Sequence, residues 1–108
     1  MRRVLFDENM PRKLRRDLPE FFIRTAQEEG CSGFKNGELL RRVSSMFQVL
    51  VALDKRMQYQ QNLSKFDIGL VVIDIPDTRL RFVRELLPEI RDAIQRVSPG
   101  EVIVIKPA

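Results

Sequence analysis

The sequence contains no histidine, and its 108 residues include a single cysteine, Cys31. The first absence removes Ser-His-Asp and Cys-His catalysis and every histidine-ligated metal. The second leaves no disulfide framework and no zinc cluster. Long apolar runs are missing too, since nothing approaches the ~20 residues of a membrane span. The opening MRRVLF is too short an apolar run for a signal peptide, and no small-residue cleavage site follows it. The expectation is a cytoplasmic protein with no membrane partner. There is no glycine-rich phosphate loop of the Walker kind, and no internal repeat, linker or low-complexity segment. A metal, if the chain uses one, is therefore held by oxygen, which suits Mg²⁺ or Mn²⁺.

What is present fits one domain spanning residues 1–108, with 44% hydrophobic residues to form one ordinary core. Net charge is +4 and the pI is about 9.7. That balance suits a nucleic-acid partner and equally suits a basic solvated surface.

Apolar segments alternate with amphipathic ones. Arg3 to Phe6, Phe21 to Thr25, QVLVALD, DIGLVVIDI and VIVI read as five strands, the third and fourth apolar enough for burial on both faces. Asn9 is placed to cap a first helix with Pro11 in its first turn and Leu14 inward. Gln27 to Lys35 reads as a loop containing Gly30 and Gly33. Asn36 is placed to cap a second helix, whose Leu39, Leu40, Val43, Met46 and Phe47 recur at helical spacing. DKRMQYQQNLSKF contains a short helix. A long helical stretch starts at Asp77 or Thr78, with Leu80, Val83, Leu87, Ile90, Ile94 and Val97 on one stripe. Pro88 inside it predicts a kink or two consecutive helices.

This alternation predicts an α/β fold with a mostly parallel five-stranded sheet in the order 2-1-3-4-5, covered on both faces. Ligands in such sheets bind where the strand order reverses, at the carboxyl ends of the strands. Asp7 ends the first strand and Asp54 the third, so the order brings them to one crevice. Asp74 ends the fourth strand, one position further out. Asp7, Glu8, Glu38 and Asp54 are the candidate carboxylate cluster, able to hold a cation, activate water and stabilise a phosphodiester transition state. Three of them have a plainer role as well: Asp7 as a cap, Glu38 as a favourable charge at a helix N-terminus, Asp54 as a strand end. Arg12, Lys13, Arg15, Arg16, Arg41 and Arg42 are candidate phosphate contacts or a solvated face. Tyr59 to Asn62, YQQN, offers a stacking ring and three amides for single-stranded nucleic acid, or a tyrosine packed on the core.

The LFDEN start, the KNGELL helix entry and the VALDK strand end followed by YQQNL together resemble small bacterial PIN-like proteins, over nearly the whole chain. The resemblance implies a three-layer α/β/α sandwich and a Mg²⁺- or Mn²⁺-dependent ribonuclease, in many cases the toxin of a toxin–antitoxin pair. It maps the family's acidic residues onto Asp7, Glu38 and Asp54, with Glu8 and Asn9 beside the first. The partners it implies are RNA and a small antitoxin protein, and a homodimer is a further expectation. Asn9, Arg12, Lys55, Arg56, Tyr59, Gln60 and Asn62 are the expected substrate contacts. One departure stands out. Where many relatives carry Thr-x-Asp-x-Asp-Phe, this chain reads Ala52, Leu53, Asp54, Lys55, Arg56, Met57. Arg56 replaces an acid, which adds positive charge and removes a ligand. Two other readings stay open: a PIN-like binding module without catalysis, and a receiver-type signalling domain built on Asp7, Glu8, Asp54 and Lys106-Pro107.

Overall fold

The computed structural model describes residues 1–59 and 63–107. Five strands, β1 (Arg3–Phe6), β2 (Phe22–Thr25), β3 (Val49–Ala52), β4 (Gly69–Ile73) and β5 (Val102–Ile105), form one sheet in the order β2-β1-β3-β4-β5. Every pairing is parallel, with Val4 beside Ile23 and Val49, and Val71 beside Ile103. The expected order is therefore the observed one. The α-helices are α1 (Asn36–Val43), α2 (Leu80–Arg84) and α3 (Leu87–Arg96), and short 3-10 segments cover Arg12–Asp17, Lys55–Tyr59 and Leu63–Lys65.

Alternation along the strands builds two apolar layers. Val4, Phe6, Val49, Val51, Val71 and Ile73 point to one face, where Leu14, Leu18, Val83, Ile90, Ile94 and Val97 cover them. Leu5, Leu50, Ala52, Leu70 and Val72 point to the other, under Leu39, Leu40, Val43, Phe47 and Met57. Helices thus lie on both faces of the sheet. β3 and β4 are buried along their whole length, as parallel strands covered twice must be.

Some local details depart from the expected ones and others follow them. Asn9 caps no helix. Its backbone N–H donates to Asp7 Oδ1 at 2.5 Å, Pro11 is extended, and a 3-10 segment begins only at Arg12. Asn36 is the first residue of α1 rather than its cap; Lys35 precedes it in extended conformation, with no side-chain cap bond. Met46 is exposed, because α1 ends at Val43 and the next turn no longer keeps helical phase. Pro88 sits in the first turn of α3 and separates it from α2, giving two consecutive helices. Among the described residues no helix is long and apolar enough to cross a membrane.

Candidate functional site

The reversal of strand order falls between β1 and β3, and a cleft of about 420 Å³ opens at their carboxyl ends. Asp7 follows β1 directly, and its backbone N–H donates to the Val51 carbonyl of β3 at 3.0 Å, extending the ladder by one residue. Asp54 lies two residues past the end of β3. Both carboxylates line the cleft, as do Glu8, Asn9, Lys35, Asn36 and Arg56. Residues 47 positions apart in sequence thus meet because parallel pairing puts like ends of strands side by side.

The two aspartates sit in opposite electrostatic states. Asp7 is only 6% exposed. Burial pushes its carboxyl up to about 6; the Asn9 N–H opposes this, and the charges of Asp54 and Glu8 add to it. Asp54 is held below the usual carboxylate range, first by the Arg56 side chain, with smaller help from the Arg56 backbone and Asn36 and against its own partial burial. The Arg56 contact is a fork: Nε donates to Oδ1 and Nη2 to Oδ2, both at 2.9 Å, while the Arg56 backbone N–H donates to Oδ1 at 3.0 Å.

Glu8 braces the cleft wall. Its Oε2 accepts the Gly33 N–H at 3.1 Å, and its carbonyl accepts from Gln27 Nε2 at 2.9 Å. Gly33 has φ of +80°, where a side chain strains the backbone although nothing lies within 4 Å of an added Cβ. Gly33→Ala is expected to lower stability by about 1 kcal/mol through backbone strain alone. Thermal unfolding checks this; an unchanged Tm would mean the loop relaxes out of the left-handed region.

The other expected site residues are spread more widely. Glu38 is exposed and does not line the cleft. Lys55 turns to Asp74, with Nζ 3.7 Å from Oδ1. Tyr59 is 76% exposed. Arg12 lines a separate depression with Met10, Thr25, Gln27 and Glu28. Arg15 is engaged by Glu28 at 2.8 Å, whereas Lys13, Arg16, Arg41 and Arg42 are exposed. Gln60 and Asn62 lie outside the described residues. Lys106 lines a depression with Glu89, Asp92 and Arg96. Lys35 and Asn36, which the sequence does not single out as contacts, also line the cleft.

Among the described residues, no three His, Cys, Asp or Glu side chains are grouped to hold a metal. Mg²⁺, however, usually keeps several waters and takes one or two carboxylates plus substrate phosphates rather than an all-protein cage. Two hard carboxylates, Asp7 and Asp54, line one cleft and are donors of the kind that demand calls for.

Fold and cleft together define an α/β protein with an acidic site at the switch point of a parallel sheet. No family model, curated protein or solved structure matches the chain.

Proposed function

We propose that the chain is a PIN-like ribonuclease, a Mg²⁺- or Mn²⁺-dependent hydrolase of RNA phosphodiesters, and the toxin half of a toxin–antitoxin pair. The observation that carries this reading is the convergence of Asp7 and Asp54 in the cleft at the strand reversal. Asp7 and Asp54 would hold the cation, which when bound polarises a phosphoryl oxygen and lowers the pKa of a water. Asn9 fixes the Asp7 carboxyl through its backbone N–H, and Glu8 ties the Gly33 loop to the cleft wall. Lys35 brings positive charge to the cleft for the RNA backbone. Tyr59, exposed on the segment after Asp54, offers a ring face to a base. Glu38 has no part in this account, since it stands outside the cleft.

A second reading, an RNA-binding module without catalysis, is favoured by one observation: both oxygens of Asp54 are taken by Arg56. One experiment separates the two. The purified chain is incubated with single-stranded RNA and Mn²⁺ or Mg²⁺, and binding is measured across a salt series. The nuclease reading expects metal-dependent cleavage that Asp54→Asn lowers at least ~100-fold, a transition-state loss, with RNA still bound. Binding should weaken with salt by about 0.7 in log–log slope per phosphate contact. Binding without cleavage selects the module. Neither binding nor cleavage overturns both. Growth arrest on expression, relieved by Asp54→Asn or by a co-expressed small antitoxin, is the corresponding result in cells.

A further inference from the structure

We propose that Arg56 is an exchangeable counter-ion of the cleft: its guanidinium holds Asp54 when no cation is bound and moves from carboxylate to RNA phosphate when cation and substrate enter. This rests on the reading of Asp7 and Asp54 as the pair that holds a cation. Arg56 donates to both oxygens of Asp54, so the carboxylate's charge is paired inside the cleft. The burial is lopsided. The Asp54 side chain is 15% exposed and that of Arg56 is 86% exposed, so the carboxylate stays in place while the guanidinium is free to leave. Solvent screening at the exposed guanidinium weakens its hold on the carboxylate.

The same chain contains a built-in comparison. Asp77 and Arg79 repeat the Asp-x-Arg spacing, the backbone N–H bond to Oδ1 at 3.0 Å and the side-chain fork. The spacing therefore explains why such a pair forms. Arg79, however, is anchored a second time, with its guanidinium 5.3 Å from the centre of the Phe82 ring. Arg56 has no second side-chain anchor among the described residues, and it alone of the two lines the Asp7 cleft. A guanidinium fork matches phosphate as well as it matches carboxylate. When the side chain swings away, the Arg56 backbone N–H remains on Oδ1, so Asp54 keeps its orientation for the incoming cation.

Titration calorimetry with Mn²⁺ tests the exchange without reference to turnover. The full chain and Arg56→Gln are each titrated alone and with a short oligodeoxythymidylate, which carries phosphodiesters but no 2′-hydroxyl. Without oligonucleotide, Arg56→Gln should bind Mn²⁺ on the order of tenfold more tightly, because a positive charge a few ångströms from the dication is gone. The oligonucleotide should bind Arg56→Gln more weakly, with a salt slope smaller by about 0.7. In the unmutated chain Mn²⁺ and oligonucleotide should strengthen each other's binding by one and the same factor, and that factor should shrink in Arg56→Gln. Asp54→Asn should remove the gain in Mn²⁺ affinity from the Arg56→Gln background. Equal Mn²⁺ affinity in both proteins would overturn the exchange and leave the cation reading intact. Mn²⁺ binding by neither would overturn both.

Discussion

Asp7→Asn should make the protein more stable at neutral pH, even though Asp7 lies at the centre of the candidate site. The carboxyl is buried, and its pKa rises from 3.8 to about 6 on folding. Between those values the native state binds more protons than the unfolded chain, so stability falls as pH rises. The sign is opposite to that of a salt-bridged acid. The contribution of Asp7 is absent below about 4, grows as an unfavourable one up to about 6, and is constant above that. A rise of this size corresponds to about 3 kcal/mol, an upper figure because local relaxation reduces it. Asparagine keeps an oxygen to accept the Asn9 N–H and removes the charge. Asp7→Asn is therefore expected to be more stable by about 2 kcal/mol at pH 7.5, roughly 10 °C in Tm, with the gap closing near pH 4. Denaturant unfolding of both proteins across this range is the measurement. A variant less stable at pH 7.5, or a gap that persists unchanged at pH 4, would show that Asp7 is compensated in a way its surroundings do not reveal. A buried, uncompensated carboxylate is the kind of stability loss that functional sites carry.

The sheet was legible because burial leaves a coarse trace. QVLVA and GLVVI have no polar face, so both strands had to be central and covered twice, and the strand order followed from crossover handedness. That order places Asp7 and Asp54 at the same end of neighbouring strands. The polar details were less legible because they depend on competition over one or two bonds. Asn9 looks like a cap, yet the neighbouring Asp7 carboxylate takes its N–H. In α1, Leu39, Leu40 and Val43 face the sheet and set the rotation of the helix. Asn36 lies three and four residues before Leu39 and Leu40, on the same side, while Glu38 is turned away. The helical phase therefore singles out Asn36, which lines the cleft. Arg56 was legible as a charge but not as a fork, although the Asp-x-Arg spacing recurs at Asp77 and Arg79 and signals one.

Gly69 is tightly packed at the end of the sheet away from the cleft, and a substitution there should destabilise the protein without altering site chemistry. Gly69 is the first residue of β4, paired with Val49 at the amino end of β3. A Cβ built on it would stand 2.7 Å from Val97 Cγ1, 2.9 Å from Cγ2 and 3.0 Å from the Ser98 carbonyl. Val97 is buried at the end of α3 and is stiff at χ1, and the Ser98 oxygen is backbone, so neither yields by a rotamer change. The end of α3 must move off the sheet instead. Gly69→Ala is expected to lower stability by about 2–3 kcal/mol, more than 10 °C in Tm for a chain of roughly this size. Val97→Ala should relieve part of the clash, so the double variant should be less destabilised than the two single changes added together. The carbonyl contact remains, so relief should be incomplete. Because strands β1 and β3 present Asp7 and Asp54 at their opposite ends, the folded fraction of Gly69→Ala should bind Mn²⁺ as the unmutated chain does. A fall in Mn²⁺ affinity beyond the loss of folded protein would mean that strain at one end of the sheet reaches the other. Additive single and double variants would place the clash on the Ser98 backbone rather than on Val97.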